Sequence, residues 1–587
     1  MKLKNKLNRD VTITISLILL LWFISVLVSR PIFDRPVGWI TAHTLVSMRA
    51  FEEWGFWKLL GASTLIPKSY EFIGVNISYF TKQEGIYLSY PSLWLVLPYA
   101  AFKFLSLLPL NIDLSSQYLH AYNLIVNRLI CGVVIYYLYF EIINIIAGDT
   151  LTDYQKRLIV FLGFTGWMFT PRVLFWTQNG YFSDQAVLLP IYSIFLISLR
   201  CKFKFGQLST PEKSLLFIAS LVACGTDWYG WISVAIILLI VLLDLWLSRN
   251  EVSFSPLVFL KQYWNSIKWL LSGMLVAGVT FLAQLLYYRD GFNQIYEIFL
   301  KRTGITMGDD LGNALTPMVL LRGIVRYWTA YYPPRLQQII KPSNYHLIAV
   351  LVAALLILGT LYYFFRTSED RPLCVYVYVL VFLVPLLQLY LLKQHSYIHG
   401  FSAFKMGLPI SFSLLILPAV LLILIWKKTL SNRNFQFLYG NVYISIFIVS
   451  LGLIMIFSSR SGVTKLAGVA GNISQDKGFL VARNIAFDDL PITNHEALVV
   501  APFPPPPLWY TNRFIYSPSQ LKNLLSQGKI NVENLKKMKP VFLAFQDEPI
   551  NTNVSKLCEG EWIDLSEKVD GREVISCRSS ELHRLFD

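Results

Sequence analysis

Long apolar runs alternate with short polar, often basic, segments along most of this chain. The runs at 11–29, 122–147, 158–176, 185–199, 269–288, 345–365, 375–392, 406–426 and 442–458 are near the ~20 residues that a helix needs to cross a hydrocarbon core of ~30 Å. The run at 214–246 is long enough for two short spans broken by CGTDWYGW. In lipid only helices and closed barrels satisfy their own backbone polar groups, and these runs are too long for barrel strands. The pattern predicts an α-helical polytopic membrane protein of about eleven spans.

One further run, YPSLWLVLPYAAFKFLSLLPL at 90–110, is apolar enough to cross but is interrupted by Pro91, Pro98 and Pro109. The return span at 122–147 already supplies the crossing needed before the basic loop at 149–157. Residues 90–110 therefore read as an interfacial or re-entrant helix packed on the bundle.

The pattern changes after residue 458. EALVVAPF and KPVFLAFQD are short buried-strand patterns, and SPSQLKNLLSQ reads as a helix with a serine cap. The expected organisation is a transmembrane module over 1–458, with a large first outer loop at 30–120, and a small α/β domain over 459–587. Lys2, Lys4, Lys6 and Arg9 put the N-terminus in the cytoplasm. An odd number of spans then makes the C-terminal domain extracytoplasmic. The first run has a basic flank but no small-residue cleavage site, so it reads as a retained anchor.

Composition agrees: of 587 residues 55% are hydrophobic and 15% charged, where a soluble domain carries about a quarter charged residues. The net charge of +15 is spread through short loops without a dense basic block, which argues for membrane topology and lipid-phosphate contact and against nucleic acid. The outer segment at 289–342 is an exception to the positive-inside rule. It carries Arg289, Lys301, Arg302, Arg322, Arg326, Arg335 and Lys341, and so much outward positive charge invites an anionic ligand. Cys558 and Cys577, in the polar C-terminal region, form either a disulfide or two thiols.

Ionisable residues that are costly in lipid collect on the outer side: Asp34, His43, Asp184, Asp227, Lys393, His395, His399 and Lys405. They read as a shared site or as separate caps of span ends. Asp184, at the start of a returning helix, suits either role. Trp39, His43, Val46 and Ala50 share one face of an amphipathic helix, from which His43 points into the site or serves an interface. His395 and His399 have the four-residue spacing that can bind zinc, but neither an HExxH pattern nor a third clustered ligand accompanies them, so zinc is not expected there; no cofactor is predicted, with a divalent metal left open. With Lys393 and Lys405 the segment looks more like an anion clamp. Gly-rich nucleotide loops, GxSxG and CxxC pairs are absent.

The pattern resembles the GT-C superfamily of membrane glycosyltransferases, which includes protein O-mannosyltransferases, aminoarabinose transferases and oligosaccharyltransferase catalytic subunits. The matching features are a first outer loop with Asp34 and a helix from His43 to Gly55, the Tyr90-Pro91-Ser92 start of an interfacial helix, and Asp184 in the second outer loop. Trp228-Tyr229-Gly230 and the late outer segment KQHSYIHGFSAFK are similar as well. The resemblance implies transfer of a sugar from a polyprenyl-phosphate-linked donor to a lipid, glycan or protein acceptor on the extracytoplasmic face. An acid of the first loop would be general base, and basic residues would stabilise the departing phosphate. The acidic pair usual in that loop falls near residues 39–42, where this chain has no carboxylate. The base candidates are therefore Asp34, His43 and Asp184. Lys393, His395, His399, Lys405 and Arg322 are the candidates for the phosphate, with Tyr90 and Asp227 lining the substrate. The alternatives are a transporter or flippase for an anionic lipid or solute, a GT-C relative without activity, and an assembly factor.

Overall fold

The computed structural model describes residues 2–29, 39–64, 86–109, 112–248, 256–305, 371–393, 395, 405–429, 441–474, 497–500, 514–516, 539–543 and 574–576. The expected span at 345–365, the expected helix at 517–527, Cys558 and Cys577 lie outside these residues.

Helix α1 (Lys2–Ser29) precedes α2 (Trp39–Ala50), which widens into a π-turn at Phe51–Gly55. Strands β1 (Ser63–Thr64) and β2 (Ile86–Tyr87) pair antiparallel, with Ser63 opposite Tyr87. Helix α3 (Leu93–Ser106) follows. At 1.5 Å per residue its 14 residues span about 21 Å, short of a bilayer crossing. It buries Trp94, Leu95, Pro98, Tyr99 and Phe102 while leaving Phe104 exposed, as an interfacial helix would.

Helix α4 (Ser116–Asn123) continues through a π-segment at Leu124–Ile130 into α5 (Cys131–Ala147). Ser115 caps its start, accepting from Tyr118 N at 3.3 Å. Helix α6 (Asp153–Met168) begins on a reciprocal pair in which Thr152 Oγ1 accepts from Gln155 N and Gln155 Oε1 accepts from Thr152 N. Next come α7 (Pro171–Asn179), the single turn α8 (Ser183–Ala186) and α9 (Leu188–Arg200). The break expected in the run at 214–246 lies between α10 (Thr210–Cys224) and α11 (Trp228–Ser248). Helix α12 (Pro256–Tyr287) leads to α13 (Gly291–Thr303), in the long basic segment that the sequence suggests is an outer loop. The late helices are α14 (Arg371–Tyr378), α15 (Val384–Leu391), α16 (Gly407–Ser411), α17 (Leu417–Thr429) and α18 (Asn441–Ser474). The last of these runs past residue 458, where the sequence suggested a domain boundary.

Among the described residues, Gln117–Thr150, Ile267–Tyr287, Pro372–Leu391 and Gly407–Trp426 are long and apolar enough to cross a membrane, with shorter apolar helices at Thr12–Val28, Trp228–Asp244 and Ile444–Phe457. Together with α6 and α9 they pack into one core that includes Ile135, Tyr139, Trp167, Ile191, Val234, Leu270 and Phe412. A second, more aromatic core joins α2, α3 and α4 to the end of α12 through Leu45, Phe51, Trp94, Tyr99, Tyr118, Tyr181 and Tyr288. The chain thus has a bundle core and a separate outer layer over the segments read as the first outer loop.

Farther along, β3 (Ala497–Val500), β4 (Phe514–Tyr516), β5 (Lys539–Leu543) and β6 (Val574–Ser576) form a sheet in the order β4-β3-β5-β6. Strand β3 runs parallel to β4 and β5, and β6 is antiparallel to β5. Strands β3 and β5 are the two short apolar patterns read from the sequence.

Candidate active site

The turn between α10 and α11 places the first acid. Gly230 packs so closely on the end of α10 that a Cβ there would lie 2.0 Å from the Ala223 carbonyl oxygen. Gly225 O accepts from Leu93 N at 2.8 Å, tying the turn to the start of α3. Between these anchors Asp227 caps α11, its Oδ1 accepting from Tyr229 N at 2.7 Å. Its Oδ2 accepts from Ser183 Oγ at 3.3 Å, which brings in the α8 turn and with it Asp184.

Lys405, just before α16, closes the cluster. Its Nζ donates to Asp227 Oδ1 at 2.9 Å and lies 2.8 Å from Asp184 Oδ1. The Asp184 contact is a close, buried ion pair. All three side chains are at most 2% exposed. Burial alone would lower the Lys405 pKa, and the two carboxylates more than offset it, so the ammonium stays charged. Burial raises the Asp184 carboxyl against the pull of Lys405. The ammonium also stands 5.3 Å from the centre of the Tyr229 ring, a cation–π distance.

A second group sits beside this one. Helix α13 ends at Gly304, whose left-handed φ of 77° closes the helix and leaves Arg302 in its last turn. The Arg302 guanidinium lies 4.0 Å over the Tyr90 ring and donates to Ser89 O, Ser89 Oγ and Tyr87 Oη at 3.2 to 3.4 Å. The Tyr90 hydroxyl shares a 3.2 Å hydrogen bond with His395 Nε2. Burial raises the Tyr90 phenol well above its usual range, so it keeps its proton. Ser89 O also accepts from Trp228 Nε1 at 3.1 Å, which links the segment 87–90 to the start of α11. Arg302 is close enough to Asp227 and Asp184 for both acids to stabilise its charge. Two carboxylates and two cations thus make a neutral, largely dry constellation.

Of the residues singled out in the sequence, Asp184, Asp227 and Lys405 come together, as do Tyr90 and His395. Lys393 is half-buried two residues before His395. His43 has different direct partners and reaches the second group only through Tyr87. It is buried in the outer layer, its Nε2 is 3.0 Å from Ser63 Oγ, and its ring meets Tyr87 and Trp94 edge-on. The expected amphipathic exposure of α2 is not observed, because Thr41, Thr44, Leu45, Ser47 and Met48 are buried along with His43. Asp34, Arg322 and His399 lie outside the described residues.

Arg302 is one of seven basic residues in the segment 289–342, of which Arg322 is the one the sequence points to for the site. The available signal for Arg302 was its position closing a 13-residue amphipathic segment just before Gly304. Among the described residues no three His, Cys, Asp or Glu side chains gather as a metal site.

No family model matches the chain, and no curated protein matches it. Among solved structures, the chain is similar to the crystal structure of ArnT from Cupriavidus metallidurans bound to undecaprenyl phosphate. The two share 11% identity with a TM-score of 0.47, over 96% of this chain and 97% of that one. A likeness at this level carries neither a residue role nor a substrate to the present chain.

Proposed function

We propose that this chain is a membrane-embedded transferase that moves a sugar from a polyprenyl-phosphate-linked donor to an acceptor hydroxyl on the extracytoplasmic face. The observation that carries this reading is the buried Asp184–Lys405–Asp227 cluster beside Arg302, where an acid and two cations stand ready for a proton and an anion. Ionisable groups at such depth are costly, and a functional role is the default explanation for them.

Asp184 is the better general base. Asp227 already accepts from Tyr229 N, Ser183 and Lys405, whereas the Asp184 carboxylate, among the described residues, is in close contact with Lys405 alone. Burial raises its carboxyl above the ordinary aspartate value, which makes it a stronger base than a solvated aspartate. In the proposed step its carboxylate takes the proton of the acceptor hydroxyl as that oxygen attacks the anomeric carbon. The bond from that carbon to the phosphate oxygen breaks on the opposite face, and the electron pair leaves with the lipid phosphate. In this step Lys405 and Arg302 stabilise the developing phosphate charge. Asp227 holds Lys405 in position.

Incubating the purified protein with labelled polyprenyl-phosphate sugars and measuring lipid-phosphate release tests the reading. Release that disappears in Asp184→Asn is the expected result. Movement of the labelled lipid across the bilayer with no phosphate released would overturn it in favour of a transporter.

A further inference from the structure

Three polar side chains near the ion cluster are buried and meet no hydrogen-bond partner among the described residues: both amide atoms of Gln185, Thr226 Oγ1 and Tyr229 Oη. Gln185 is 1% exposed, and Thr226 and Tyr229 are 0% exposed. Native proteins seldom leave buried polar atoms in this condition, because each forfeits its bonds to water without replacement. These three are also not scattered. Gln185 follows Asp184 on the α8 turn, while Thr226 and Tyr229 flank Asp227 on the α10–α11 turn. The two turns are held together by the bond from Ser183 to Asp227 and by Lys405, which contacts both acids. The Tyr229 ring lies beneath the Lys405 ammonium.

The chemistry of the three narrows the ligand. A carboxamide offers donors and an acceptor on separate atoms, and each hydroxyl can serve as either. None of the three carries charge, so none is matched to a phosphate in particular. A group with several neutral hydroxyls would satisfy all three, as a sugar ring does.

We infer that Gln185, Thr226 and Tyr229 form the subsite that binds the neutral, hydroxyl-bearing sugar of the lipid-linked donor, beside the ion cluster that engages its phosphate. This inference rests on the transferase reading and extends it to the substrate. It also has a consequence for stability. Tyr229→Phe and Thr226→Val each delete an unpartnered polar atom at nearly constant shape, so neither should weaken the fold.

The full-length protein in lipid nanodiscs tests this with two classes of probe: bare polyprenyl phosphate, and polyprenyl phosphate carrying one of a panel of neutral hexoses and pentoses. The wild type is expected to bind at least one sugar-bearing lipid more tightly than the bare lipid. In the Thr226→Val/Tyr229→Phe double variant that preference should fall about tenfold, since a site built to hydrogen-bond a hydroxyl discriminates strongly. Affinity for the bare lipid and the thermal midpoint should be unchanged or improved. Equal losses for both probes, an unchanged sugar preference, no preference in the wild type, or a lowered thermal midpoint in the double variant would each overturn the subsite. If the wild type bound neither class of lipid, the transferase reading itself would fail and the inference with it.

Discussion

Asp184 and Asp227 are the same residue type within one cluster, yet their surroundings predict different outcomes on substitution. Asp227→Asn removes the charge that holds Lys405 and weakens the cap of α11, so a loss of about 3 kcal/mol or more in stability is expected, read as a lowered thermal midpoint. Asp184→Asn leaves Lys405 bonded to Asp227 and should cost less stability, while lowering the transfer rate by roughly 10²-fold or more. Because burial raises the Asp184 pKa, the wild-type rate should fall as pH drops through a point above the usual carboxylate range. His43 gives a separate pH signature. Burial holds its imidazole at about 4, against an ordinary value of 6.5. Between those values the unfolded chain binds a proton that the folded chain refuses, so stability falls as pH falls from about 6.5 toward 4. The full effect is on the order of 3 kcal/mol, and a His43→Gln variant should show a shallower slope than the wild type in a plot of thermal midpoint against pH. These outcomes were only partly legible in the sequence. The costly outer residues stood out by type, but whether His43 met an acid or Ser63 depended on how α2 packs against β1.

At the scale of elements, the turn between α10 and α11 has the tightest requirement. Gly230→Ala places a methyl group against the Ala223 carbonyl, so either the turn opens or Asp227 shifts. A loss of about 3 kcal/mol and a matching loss of donor binding are expected, measurable as a lowered thermal midpoint and reduced lipid affinity. The break itself was readable from CGTDWYGW, because a glycine and an acid interrupt an otherwise apolar run. Helix α3 is legible in the same way, as a short apolar helix with Pro98 inside it. Helix α13 was harder to recognise. Its apolar spacing is short, and its role comes from one residue, Arg302, set over Tyr90 more than 200 positions earlier.

For the whole molecule, the outer layer and the bundle are distinct apolar cores, and the ion cluster depends on segments tied to both. The exposed side of α12 within Ile267–Tyr287, including Leu275, Val279 and Leu286, is the kind of surface that a bilayer covers. Val279→Asp should lower membrane insertion by about 2.5–3.5 kcal/mol, seen as a larger uninserted fraction in a translocation assay. The long apolar helices, the short proline-bearing helix α3 and two strands of the C-terminal sheet follow from sequence alone, since each depends on the apolarity and breakers of a local stretch. Sequence also marked Asp184, Asp227 and Lys405 as costly in lipid. Only the tertiary structure decided that Lys405 lies between the two acids, that Arg302 covers Tyr90, and that Gln185, Thr226 and Tyr229 are left without partners. Those facts depend on packing between segments as much as 178 or more positions apart, and no local pattern records which distant charge will fill a given gap.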